Sequence, residues 1–133
     1  MSYLVDTDVL IDVLSGDAET LALMDRLLES GLSVSTITYM EIYQGILAGT
    51  SQDDAETRLS ALLDGMPIIP ILTGVARRCA QVRLDLHKRG KRIRPRALDL
   101  LTAACAIEFG LMLVTHNISD FDDIPGLSLY QQV

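Results

Sequence analysis

The chain has 133 residues, near the commonest size of a single folding domain. Its apolar fraction of 49% excludes a disordered polymer, and its apolar runs are too short for a transmembrane helix. The net charge of −7 hides an asymmetry: residues 77–96 carry +8, and the rest of the chain about −15.

The elements alternate short β-like runs with amphipathic helices, the pattern of an α/β protein with parallel strands. The opening, MSYLVDTDVL, lacks a basic leader and meets an acid at Asp6, so no secretory signal is expected. Tyr3–Asp6 begins as a buried strand, and Thr7–Leu14 is predicted as a short helix. A second helix, Asp17–Ser30, is expected to pack through Leu21, Met24 and Leu28 and to stop at Gly31. Ser33–Ile37 is β-branched and predicts the second strand, with Thr38 as N-cap of a helix reaching Ala48.

Gln52–Leu63 continues as a helix with Ala55, Leu59 and Leu62 inward. Met66–Leu72 predicts a third strand, and Pro67 and Pro70 suit a sheet edge. Thr73 is expected to cap a long helix with a seam of Val75, Cys79, Val82 and Leu86, ending near Gly90. Pro95 breaks the helical pattern in KRIRPR. Arg96–Phe109 then predicts a helix, Leu111–Thr115 a fourth strand and Leu127–Tyr130 a short last one. No repeat or interior linker divides residues 1–133, so one domain is expected. Cys79 and Cys105 lack metal-ligand spacing and read as buried apolar residues of a cytoplasmic protein.

Nine of the eleven Lys and Arg fall in residues 77–96, opposed only by Asp85. A helix C-terminus attracts two or three basic residues through its dipole, not nine. The segment reads as a phosphate-binding patch beside an acidic body, with Arg89, Lys91, Arg92 and Arg94 as the residues expected to hold a polyanion.

The acids fall where α/β proteins build sites, beyond the carboxyl ends of strands. In VDTDVLID, Asp6 serves equally as a helix N-cap or as a site residue, with Asp8 as a supporting group and Asp12 as a solvated acid. Glu41, between Met40 and Ile42, reads either as an early-helix acid favoured by the dipole or as a site residue. Asp99 heads a small-residue face of Ala103, Ala106 and Gly110. After the fourth strand come Thr115, Asn117 and Asp120, whereas Asp122 and Asp123 read as loop acids. His116 has no second histidine at ligand spacing, so zinc is not expected. Gathered carboxylates repel one another unless a cation neutralises them, and oxygen-only ligands suit Mg²⁺ or Mn²⁺.

These residues resemble the PIN-domain ribonucleases, in particular the VapC toxins of bacterial and archaeal toxin–antitoxin pairs. VDTDVLID is similar to the family's opening motif, ITYMEIYQGI to its central glutamate motif and ALDLLTAACAIEFGLMLVTHNISDF to its C-terminal signature. The resemblance implies a three-layer α/β/α fold around a mostly parallel sheet of four to five strands. It further implies Asp6, Glu41 and Asp99 as metal-binding acids, Mg²⁺ as cofactor and RNA as substrate. A homodimer and an inhibitory antitoxin that occupies the acidic site are implied too, and no membrane. The family often has an aspartate where this chain has Asn117, or pairs that Asn with an acid at the position of Asp120, so the fourth acidic position stays open between them.

Two rival readings remain. VDTDV also fits haloacid-dehalogenase-type phosphatases, with Asp6 as nucleophile, but that chemistry needs a lysine and only Lys88 and Lys91 are present. A non-catalytic module that binds nucleic acid or a protein partner is the other.

Overall fold

Leu4 and Val5 are adjacent in sequence, yet each lies in a different hydrophobic core. Strand alternation sends successive side chains to opposite faces of a sheet, so a strand with two apolar neighbours must be covered on both sides. The computed structural model, which describes residues 2–131, has that architecture. Its sheet has five strands, β1 (Tyr3–Val5), β2 (Leu32–Ser35), β3 (Ile68–Ile69), β4 (Met112–Val114) and β5 (Ser128–Leu129), in the order β3-β2-β1-β4-β5. All four pairings are parallel. Leu113 and Val114 of β4 divide between the same two cores as Leu4 and Val5.

One core is closed by α5 (Thr73–Lys88) and α6 (Ala97–Glu108) through Val75, Cys79, Val82, Leu86 and Leu100. The other is closed by α1 (Thr7–Leu14), α2 (Ala18–Leu27), α3 (Thr36–Ala48) and α4 (Gln52–Leu63). The result is the expected α/β/α sandwich. The chain winds outward from β1 to β3, then crosses over to β4 on the other side of β1. Neighbouring crossovers therefore diverge between β1 and β4, which opens a crevice at the carboxyl ends of these two strands. Burial drives the Cys105 thiol up to about 11 and the Cys79 thiol upward too, leaving both protonated and inert.

The structure corrects several boundaries. The second strand ends at Ser35, whose side chain caps α3 by accepting from the Thr38 N–H at 3.3 Å, so Thr38 receives the cap instead of supplying it. In α2 the inward stripe is Thr20, Leu23, Met24 and Leu27. Leu21 is exposed because it lies off that stripe, and Leu28 is 60% exposed, where the helix tightens into a 3₁₀ turn at Leu28–Ser30. Pro67 and Pro70 restrict β3 to two residues at the sheet edge. Thr73 is the first residue of α5, not its cap.

A glycine turn reverses the chain after α5. Gly90 adopts φ +74°, a left-handed conformation open to glycine at little cost. It lets the Gly90 N–H reach the His87 carbonyl at 3.0 Å and the Lys91 N–H reach that of Leu86 at 2.9 Å. These bonds satisfy carbonyls that a helix end would otherwise leave open.

Candidate active site

Asp6 follows directly on β1, and its N–H extends the ladder to the Val114 carbonyl at 2.9 Å. Its side chain is both cap and site residue. One carboxylate oxygen accepts from the Thr7 N–H at 2.9 Å, and the other from the Thr115 hydroxyl at 2.8 Å. With only 7% of the residue exposed, burial is the main force that pushes its pKa up from 3.8 to about 7. The charges of Asp8 and, more weakly, Asp99 push the same way, against the two hydrogen bonds. A carboxylate so placed needs a compensating positive charge to stay ionised.

Asp8 faces the loop after β4. One of its oxygens accepts from the Val9 N–H at 2.8 Å. The other accepts from the Asn117 side-chain amide at 2.9 Å and the His116 N–H at 3.1 Å, with the Thr115 hydroxyl at 3.5 Å. Asp8 thus ties α1 to residues 115–117. A second tie joins His116 Nε2 to Asp12 at 2.9 Å, so Asp12 is not simply solvated.

Glu41 lies in the second turn of α3, where its Oε1 accepts from the Thr7 hydroxyl at 2.6 Å. Thr7 Oγ1 is also 3.0 Å from Thr38 Oγ1. Since Thr7 has one hydroxyl proton and gives it to Glu41, Thr38 donates to Thr7. Sequence reasoning misses this relay, although Thr7 stands inside the same VDTDVLID motif.

Asp99, in the first turn of α6, is half-buried. Burial raises its pKa most, followed by the charges of Asp120 and Glu41, with Asp8 contributing least and Arg96 opposing. Four of the acids singled out from sequence therefore act on one another around Asp99. Among the described residues, however, no three His, Cys, Asp or Glu side chains are already drawn into a closed metal shell. The donors that a cation would meet here are carboxylate oxygens, which suit a hard divalent ion.

The loop acid Asp123 is not merely solvated. It holds both terminal nitrogens of Arg96, at 2.6 and 3.0 Å, and Arg96 also donates to the Asp120 carbonyl at 2.8 Å. This fork keeps Asp123 below the usual carboxylate range and fixes the backbone of Asp120. Arg96 belongs to the basic segment, and nothing in the sequence separates it from its neighbours. Arg89, Lys91, Arg92 and Arg94 are exposed, and Arg89 pairs with Asp85 at 3.0 Å. Lys88 and Lys91 are exposed as well, and neither is among the groups that perturb Asp6, which weighs against aspartyl-phosphate chemistry.

Comparison with known proteins bears on the family and the fold. The model of the PIN domain family matches residues 3–127. Ribonuclease VapC5 of Mycobacterium tuberculosis is 30% identical over 124 residues, covering 92% of this chain and 87% of that protein. A tRNA(fMet)-specific endonuclease VapC of Salmonella typhimurium is 24% identical over 97% of this chain and 96% of its own. Among solved structures, VapBC2 from Rickettsia felis, bound to a DNA fragment from its promoter, superimposes with a TM-score of 0.90 over 100% of both chains at 24% identity.

Proposed function

Because the chain belongs to the PIN domain family, we propose that it is a VapC-type endoribonuclease, the toxin of a toxin–antitoxin pair, that hydrolyses RNA phosphodiester bonds in the cytoplasm. The observation that carries the reading is the buried Asp6 carboxylate, raised to about 7 at the β1–β4 crevice and perturbed by Asp99. Nucleases of this class depend in general on a divalent metal. Here the oxygen-only donors favour Mg²⁺ or Mn²⁺, held by Asp6 and Asp99 with Glu41. Bound there, the ion would polarise the phosphodiester and lower the pKa of a water.

The chain's own residues prepare that site. Thr115 and the Thr7 N–H fix the two oxygens of Asp6, and the Thr7 hydroxyl aims Glu41. Asn117 spends its amide on Asp8, so it acts by positioning, while Asp120 supplies the fourth acidic charge beside Asp99. Arg89, Lys91, Arg92 and Arg94 hold the RNA backbone against the acidic body's repulsion. The solved VapBC2 complex supports an antitoxin partner, and in this reading the protein is a homodimer that the antitoxin silences at the acidic site. No described helix is long and apolar enough to cross a membrane.

The experiment is RNA cleavage by the purified protein, with sequencing of the new ends. Cleavage should require Mg²⁺ or Mn²⁺ and stop in EDTA. Full cleavage in metal-free buffer, or normal turnover by both Asp6→Asn and Asp99→Asn, would refute the proposal.

A further inference from the structure

We propose that Arg83, His87, Arg92 and Arg94 form a pocket for one nucleotide of the RNA strand, away from the bond that is cut; this rests on the ribonuclease reading above. The pocket is a product of the Gly90 turn. Arg83 and His87 stand one helical turn apart on α5. After the chain reverses, Arg92 and Arg94 come back against them, with Ile93 and Pro95 between. Together these residues line a cleft of about 510 Å³, a size suited to a small ligand.

Among the described residues, no carboxylate lines this cleft. Two neighbouring acids are engaged elsewhere, Asp85 with Arg89 and Asp123 with Arg96, and Asp120 and Asp122 line the adjoining cleft instead. Within the same residues, Arg83, Arg92 and Arg94 have no ion-pair partner. The dipole of α5 accounts for basic residues in its last turn, such as His87 and Lys88, but not for arginines supplied by the returning loop. Four cationic or ionisable groups without a counterion call for an anion.

The lining narrows the ligand further. Ile93 packs on the hydrophobic core and, with Pro95, gives the cleft an apolar side. Guanidinium and imidazole planes stack on unpaired bases while their N–H groups bind phosphate. A nucleotide of single-stranded RNA uses both features, and a bare phosphate uses only one.

The pocket also lies on a path from the acidic site. Arg92 lines a second cleft with Lys91, Arg96 and Ser119, where Asp120, Asp122 and the Arg96-bound Asp123 also stand. Asp120 in turn bears on Asp99. A strand with its reacting phosphate at the acids passes Lys91 and Arg92 and reaches the pocket with a flanking nucleotide.

The test is binding of a ribose-methylated single-stranded RNA of mixed sequence, followed by fluorescence anisotropy across a salt series. The Arg83→Ala, His87→Ala double variant should bind about tenfold more weakly. Its slope of log affinity against log salt should flatten by about 0.7 for each phosphate no longer neutralised. Arg94→Ala, at the exposed first position of the 3₁₀ turn Arg94–Arg96, should shift both quantities in the same direction. A mononucleotide should displace the RNA better than inorganic phosphate does. Unchanged affinity and slope in both variants would overturn the proposal. So would phosphate competing as well as the mononucleotide, or poly-glutamate competing as well as RNA, which would indicate an acidic-peptide site. Failure of the wild type to cleave any RNA would instead remove the ribonuclease reading, so the two failures are distinguishable.

Discussion

Replacing Asp6 by Asn should destabilise the metal-free protein at acid pH and stabilise it at neutral or higher pH. In the fold the Asp6 carboxyl titrates near 7, against an ordinary value of 3.8. At about 1.4 kcal/mol per pH unit, that interval corresponds to about 4 kcal/mol. The sign follows from proton binding. Between the two values the folded chain holds a proton that the unfolded chain has lost, so folding stability falls as pH rises from about 4 to about 7. Asn carries no charge and escapes this loss. Its carbonyl can keep the Thr7 N–H, but its amide cannot accept from Thr115, which must turn toward Asp8 at 3.5 Å. The rearrangement consumes part of the gain, leaving about 2 kcal/mol. Urea denaturation in EDTA at a series of pH values measures the difference between wild type and variant. The variant should be less stable by about 2 kcal/mol at about pH 4, draw level as pH rises, and settle about 2 kcal/mol more stable above about pH 7. A difference independent of pH, or a variant less stable than wild type at high pH, would refute the assignment of Asp6 as a buried, charge-frustrated acid.

Mg²⁺ at about a hundredfold excess over its dissociation constant should stabilise the wild type by about 2.7 kcal/mol, and Asp6→Asn far less, as thermal melts would report. Asn117→Ala removes a group that orients Asp8 and should reduce cleavage about tenfold to a hundredfold, with Asp120→Asn the more damaging of the two in the same RNA assay. Thr7→Val deprives Glu41 of its donor and should weaken metal affinity about tenfold or more, measurable by calorimetric titration. Leu86→Ala opens a cavity between α5 and the sheet and should cost about 2–5 kcal/mol in urea denaturation, while the folded fraction still cleaves RNA.

Legibility from sequence followed how local each cause was. The end of β1 and the whole of α1 could be read because Asp6 caps its own next turn, a bond between adjacent residues. The seam of α5 was equally clear, since four apolar residues at helical spacing leave one way to pack. The start of α3 was harder. The segment STIT offers several hydroxyls within a few residues, and the cap is decided by which one meets an N–H three residues ahead. Leu28 misled because its stripe continues in sequence beyond the point where the helix tightens. Asp6, Glu41 and Asp99 were each ambiguous alone, and the family resemblance was what grouped them. Their interaction depends on β1 pairing with β4 across more than a hundred residues. The sorting of the basic segment into paired and unpaired charges was invisible, because it depends on where Asp123, Glu108 and Asp85 end up.

That pairing of β1 with β4 also sets a schedule for synthesis. Asp6 is translated more than a hundred residues before its ladder partner Val114 and its hydroxyl donor Thr115. Until the ribosome has released residues 112–115, β1 lacks one neighbour and the crevice has a single wall. Asp99 is translated before that wall exists, and Asp120 follows only after it. A nascent or prematurely terminated chain therefore carries every acid of the first two motifs and no assembled site. The two walls of the crevice meet only after both strands have left the ribosome.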